Sequence, residues 1–322
     1  MNAASPATIR GPDLGGNRVE AWIPLTLFAA FAQNLRSLLQ KQLTGRLSVT
    51  GAMATRFLYA VPFALLYLSV LSHVLQAPLP QAHAAFVGWC LLGGVAQILG
   101  TQFLVATFEH RNFAVGTAYS KTETVQAAIF GAVLLGEGID VPTGIAIGVS
   151  LCGVLLFSTA RAPLRPGEVA RSLATGLFSA VGARGIASGA GFAVSAVSYR
   201  AASTSLVGHE PLMQAAYTLA CVTLLQSLLL LVYLRAREPA TLGAVRAAWR
   251  HAVWVGIAGM LASAGWFTAM TLGPVADVRT LGQVELLFTF LTAVFWFRER
   301  VRTNEVIGVL LLVAGIVVLL AT

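Results

Sequence analysis

The sequence predicts an all-α polytopic membrane protein, ten transmembrane helices arranged as two inverted five-helix repeats. Three observations carry that prediction. Of 322 residues 57% are hydrophobic and 11% charged, with a mean hydropathy of +0.78, whereas an ordinary soluble domain carries roughly 25% charged residues. Ten separate runs reach the length of about 20 mainly apolar residues that a bilayer core requires. The two halves of the chain also match each other at a nearly constant shift.

The elements follow in order. Residues 1–20, MNAASPATIRGPDLGGNRVE, are polar and rich in Gly, Ala and Pro and lack the apolar core of a secretory signal, which reads as a disordered tail. The ten runs are approximately Trp22 to Leu43, Thr50 to Val74, Ala85 to Thr107, Phe113 to Leu135, Pro142 to Ala160, Gly185 to Ser203, Pro211 to Leu234, Ala252 to Leu272, Val275 to Phe297 and Asn304 to Ala321. The first repeat thus takes residues 21–160, a connecting segment 161–184 and the second repeat 185–322. Segment Leu173 to Ala183 reads as part of the connection. The other connections are short apart from 235 to 251, so any activity belongs inside the bundle. Ten helices suffice to enclose one pathway, and a functional monomer is expected.

A net charge of +8 excludes nucleic acid as partner once the basic residues are placed, since most lie in short segments between apolar runs. Arg46, Arg111, Arg161, Arg165, Arg171, Arg235, Arg237, Arg246, Arg250, Arg298, Arg300 and Arg302 all follow odd-numbered helices. The positive-inside rule then puts the odd-numbered connections in the cytoplasm and both termini outside. Arg10 and Arg18 in the tail pull the other way. Cys90, Cys152 and Cys221 fall within apolar runs at no metal-ligand spacing, and the five histidines lie in or beside loops. No metal and no cofactor is expected, a proton being the only candidate coupling ion.

A shift of 162 residues pairs Glu123 with Glu285, Glu137 with Glu299 and Gly153 with Gly315; just upstream a shift of 165 pairs Gly94 and Gly100 with Gly259 and Gly265. Five helices per copy is an odd number, so the second copy enters the membrane from the opposite side. Inverted repeats of this kind are typical of secondary transporters, whose sites lie near mid-bilayer between the repeats. Each half ends in a helix that stops at Glu and a last helix containing glycine, LLGE…GIAIGVSLCGVLLF and WFRE…VIGVLLLVAGIVVLL. In this the chain resembles the EamA-like branch of the drug/metabolite transporter superfamily over nearly its whole length after residue 20. The resemblance implies a ten-helix alternating-access carrier of small metabolites, often an exporter, in a bacterial inner membrane. It does not imply a substrate.

Within the bundle the ionisable residues stand out. Fourteen residues separate Glu123 from Glu137, about 21 Å of helix, so with Glu137 at the membrane surface Glu123 lies near mid-depth. Glu285 reaches a similar depth from the opposite face. A charge at a helix centre costs about 2.5 to 3.5 kcal/mol on insertion scales, which turns such residues inward and makes them functional candidates. Gly116, Tyr119, Ser120, Gln126 and Ala127 share the face of Glu123, opposite Ile129 and Val133; Val278, Leu281, Gly282, Phe288 and Thr289 share that of Glu285. On the first helix Gln33, Arg36, Ser37 and Gln40 form a polar stripe, and Arg36 is expected to face inward to Glu123 or Glu285. Lys121, two residues from Glu123, points to a different face. The expected substrate- and proton-binding set is Glu123, Glu285, Arg36, Gln33, Tyr119, Ser120, Gln126, Gly282, Thr289 and Lys121.

Arg279 and Arg56 read as interfacial anchors or gates, Pro62 as a kink in the second helix, and Trp22, Trp89, Tyr199 and Trp254 as interface aromatics. Small-residue spacings such as Gly94 to Gly100, Ala187 to Gly191 and Gly256, Gly259 and Ala262 read as helix-packing sites. The expected function is a secondary active transporter, an exporter, of a small metabolite such as an amino acid, with proton coupling through Glu123 or Glu285. The alternatives are an uncoupled exchanger or facilitator, a lipid translocase, and a receptor-like membrane binding module. No HExxH, GxSxG or Gly-rich phosphate loop marks an enzyme.

Overall fold

The computed structural model describes residues 20–43, 47–107, 113–160, 179–296, 298 and 301–321, and the regular elements among them are all helical. Helices keep backbone donors and acceptors paired within one segment, as a lipid medium demands. The tail up to residue 19 and most of the connecting segment lie outside the described residues. So do Arg46, Arg111, Arg161, Arg165, Arg171, Glu299 and Arg300.

The first half comprises α1 (Trp22–Leu43), α2 (Val49–Leu58), α3 (Val61–Val74), α4 (Ala84–Thr107), α5 (Phe113–Ser120), α6 (Glu123–Leu135) and α7 (Val141–Thr159). The second comprises α8 (Ala180–Thr204), α9 (Pro211–Arg237), α10 (Pro239–Ala247), α11 (Trp249–Leu272), α12 (Val275–Leu281), α13 (Val284–Leu291), a π-helical turn over Thr292–Trp296, and α14 (Thr303–Leu320). The expected second span is divided between α2 and α3, because Pro62 in the first turn of α3 has no N–H to continue the ladder. Asp140 caps α7 by accepting the Thr143 N–H at 2.8 Å, a bond that holds its carboxyl below the usual carboxylate range.

Two boundaries differ from the sequence reading. Helix α8 starts at Ala180 rather than Gly185, with Ser179 accepting the Gly182 N–H at 3.0 Å; its Gly- and Ala-rich first turns carry little apolar signal. The connection after residue 235 holds α10, which buries Val245 against Leu43, Leu47 and Val255.

Among the described residues, eight helices or joined helix pairs are long and apolar enough to cross a membrane, including Thr50–Val74, Ala84–Thr107 and Val275–Phe295. The expected first and fourth spans fall short of that measure. Gln33, Asn34 and Arg36 make α1 more polar, and Lys121, Glu123 and Gln126 do the same for α5 and α6.

Each half sends its first helix onto the third span of the other: α1 packs along α11, and α8 along α4, while the closing helices α7 and α14 pack on each other. Such reciprocal exchange is what a two-fold relation between the halves produces. Glycine permits the closest of these contacts. A Cβ on Gly191 would lie 2.7 Å from Gly100 Cα, and one on Gly153 would lie 2.6 Å from the Gly308 carbonyl oxygen. Outward, Ile129 and Val133 are 50% and 74% exposed, an apolar stripe suited to hydrocarbon. Trp254 is exposed, but Tyr199 is fully buried and is no interface anchor.

Candidate functional site

The helices that carry Glu123 and Glu285 are both interrupted, at nearly equivalent places in the two repeats. Helix α5 ends at Ser120 and α6 starts at Glu123; α12 ends at Leu281 and α13 starts at Val284. At each break the backbone tightens to a three-residue step, with Thr122 N–H donating to Tyr119 O and Gln283 N–H to Thr280 O, both at 3.1 Å. Each carboxylate therefore sits in the first turn of a half-helix, at the positive end of its dipole.

The two carboxylates, together with Gln33, Arg36 and Lys121, line one cavity of about 280 Å³ between the halves. A chain of polar contacts joins them across it. Arg279 Nη2 donates to Glu123 Oε1 at 2.5 Å, an ion pair between α12 and α6. The Arg279 guanidinium stands over the Trp266 ring, 5.3 Å from its centroid. Trp266 Nε1–H donates to Gln33 Oε1 at 3.0 Å, and Gln33 Nε2 donates to Glu285 Oε2 at 2.5 Å. Every step but the stacking of Arg279 on Trp266 crosses from one half to the other.

Matches to the model of the EamA-like transporter family cover residues 20–159 and 183–321, one in each half. The chain belongs to the EamA-like transporter family. It is accordingly a multi-pass integral membrane transporter of the drug/metabolite type, working on small molecules from within a lipid bilayer, and its halves are two EamA repeats. A solved crystal structure is similar over 92% of this chain and 96% of its own, with a TM-score of 0.66 at 16% identity, which shows the fold alone. No curated protein matches the chain in sequence.

The transporter places the other expected site residues differently. Tyr119, Ser120 and Gln126 turn away from the cavity to α8. Ser120 Oγ lies 2.9 Å from Ser188 Oγ, Gln126 Nε2 donates to Thr122 Oγ1 at 2.8 Å and to Ile186 O at 3.4 Å, and Tyr119 Cβ lies 2.7 Å from a Cβ built on Gly185. This small, polar face is a helix contact whose hydroxyls and amide pair across the seam. Gly282 lies under Trp266, where a Cβ would come within 2.5 Å of the indole. Thr289 donates to the Glu285 carbonyl at 2.9 Å and to Asn34 Oδ1 at 3.3 Å, outside the cavity wall.

Lys121 and Glu123 both face the cavity although they are two residues apart, because the break between α5 and α6 interrupts the helical rotation. Arg36 points inward but forms no ion pair with either carboxylate. Glu123 is taken by Arg279, and the Arg36 Nε has no hydrogen-bond partner among the described residues.

Several lining residues were not in the expected set, notably Arg56, Gln97, Tyr199, Trp266 and Arg279. Gln226 Nε2 donates to Gln97 Oε1 at 2.8 Å, and the Tyr199 hydroxyl donates to Gly93 O at 3.0 Å while its ring stacks on Phe267 at 4.5 Å. Neutral polar residues within apolar runs give a weaker sequence signal than charges do.

Beyond Trp266 and Arg279, the even-numbered connections come together. Arg200 pairs with Glu137 and donates through Nη1 to the carbonyls of Met270 at 2.6 Å and Gly273 at 2.5 Å. Glu137 also accepts the Val275 N–H at 3.0 Å. The end of α6 is thereby fastened to α8, α11 and α12 of the other half.

Proposed function

We propose that this EamA-like transporter is a ten-span secondary carrier of alternating-access type, exporting a small metabolite from a bacterial cytoplasm in exchange for protons. Helices α1 and α5–α6 supply the two spans that are less apolar than the rest. The observation that carries the reading is the contact chain from Glu123 to Glu285, which crosses a mid-molecule cavity and uses one carboxylate from each repeat.

Glu285 is the better proton carrier of the two. Its hydrogen-bond partner Gln33 is a neutral amide, and Arg36 and Arg56 share its wall without forming an ion pair with it, so protonation weakens one hydrogen bond, whereas protonating Glu123 strands the paired Arg279 charge. Weakening the Gln33 tie loosens α13 on α1, two elements of opposite halves that Thr289 and Asn34 also join, and favours rocking of the halves. Arg200 with Glu137 closes the face of the even-numbered connections, while on the other side the cavity reaches Thr101 and Leu104 in the last turns of α4. With the Arg-rich odd-numbered connections in the cytoplasm, the cavity faces inward. One chain suffices for the pathway, and the unit is a monomer.

Transport by purified protein in proteoliposomes, titrated against pH, tests this reading. Glu285→Gln is expected to flatten the pH dependence and Glu123→Gln to lower the rate. Unchanged rate and unchanged pH dependence in both variants overturns it. The hydrogen bond and ion pair that already occupy the two carboxylates favour a second reading, uncoupled exchange. In that case counterflow persists in Glu285→Gln with no proton movement in the wild type.

A further inference from the structure

The charges of the cavity wall, taken with the transport reading above, narrow the substrate class. Four cationic side chains line the cavity, Arg36, Arg56, Lys121 and Arg279, against the two carboxylates Glu123 and Glu285. Arg279 is matched by Glu123, and Glu285 is hydrogen-bonded by a neutral amide. Three cations then face a single carboxylate. Arg36 is more than nine-tenths buried, yet its Nε has no partner among the described residues. Burying a guanidinium without a full set of acceptors is costly, and two of them side by side also repel.

Arg36 and Arg56 are side by side. Both flank Gly259 of α11, where a built Cβ would lie 3.4 Å from Arg36 Cδ and 3.8 Å from Arg56 Cβ. Those are ordinary contact distances, so the stems of both arginines reach the same point of the wall at residue 259. Paired guanidinium forks match the oxygens of a carboxylate or phosphate, and an anion between them supplies the missing acceptors and relieves their repulsion. The cavity of about 280 Å³ has room for a small metabolite.

We propose that the substrate is a small organic anion of net negative charge, whose carboxylate or phosphate binds between Arg36 and Arg56 with Lys121 completing the cationic wall. Neutral zwitterions and amines bind more weakly, because they leave an excess positive charge uncompensated.

Thermal stabilisation of the purified full-length protein tests this, at matched ionic strength, with succinate, L-glutamate, glycerol 3-phosphate and inorganic phosphate set against L-leucine, tyramine and putrescine. Stabilisation by at least one of the organic anions and by none of the amines is expected, and the succinate and glycerol 3-phosphate arms tell carboxylate from phosphate. Arg36→Gln and Arg56→Gln are expected to weaken the effect about tenfold or more, with the exposed Arg235→Gln as an unaffected control. Stabilisation by amines or leucine alone, by no organic anion, or by anions equally in both arginine variants overturns the proposal. If the glutamine variants fail to fold, Arg36→Lys and the wild-type comparison of anions with amines still decide it. Counterflow of labelled anion separates the two readings. Binding without exchange overturns the carrier and leaves the anion site, whereas exchange of an amine in preference to anions overturns the anion site and leaves the carrier.

Discussion

At the scale of single residues, Glu123 and Arg279 form an ion pair between the halves at the cavity, with side chains 8% and 17% exposed. Removing one member of a buried pair leaves its partner's charge uncompensated, a loss of roughly 3 to 5 kcal/mol in proteins where this is measured. Glu123→Gln and Arg279→Gln are therefore each expected to lower the melting temperature markedly, and the double variant to lose about 1 to 3 kcal/mol less than the two single losses summed. Strict additivity in that cycle contradicts the pairing. The sequence shows Glu123 and Glu285 plainly, because a carboxylate far from any helix end is rare in an apolar run. Arg279 was harder to read, being one turn from a helix start where arginines commonly reach the interface. The structure turns Arg279 inward instead, onto Glu123 and over the Trp266 ring. Trp266 gave no signal at all, since an indole in a membrane helix is ordinary until its N–H is seen to hold Gln33.

At the scale of elements, two features decide the site: close helix seams and broken helices. The seams were legible, because glycine and alanine at three- and four-residue spacing have few other uses in a long helix. Gly191→Val forces a branched side chain against Gly100 and the Ala96 carbonyl, both 2.7 Å from its Cβ. A loss of about 1 to 3 kcal/mol is expected from such overpacking, measured as a lower unfolding temperature. Gly144→Ala, with nothing within 4 Å of the new carbon, is the control and is expected to lose no stability, alanine favouring the helix by up to about 1 kcal/mol. Equal effects at the two glycines contradict the seam. The breaks after Ser120 and Leu281 were not legible, since neither holds a proline. They arise where Lys121 and Glu123 both turn into the cavity, and where Gly282 passes beneath Trp266. An unbroken helix would turn Tyr119, Ser120 and Gln126 to the side of Glu123, whereas the seam with α8 claims them.

At the scale of the whole molecule, the repeat was readable from paired residues such as Gly153 and Gly315, and matches to the family model fall one in each half. The exchange of first helices between halves was not, because packing partners leave no mark in hydropathy. That exchange is what places α1 and α8 beside the cavity, and it makes the face closed by Arg200 and Glu137 a joint between repeats rather than within one. The central claim is that this cavity opens alternately to the two sides. The most direct measurement is the reaction of Ser263→Cys, in the cavity wall, with a membrane-impermeant maleimide in a background where Cys90, Cys152 and Cys221 are replaced by alanine. The account predicts labelling from the side of the odd-numbered connections alone, and added labelling from the opposite side once Arg200→Gln unties Glu137. No labelling from either side, or labelling from the even-numbered side that Arg200→Gln leaves unchanged, would contradict it.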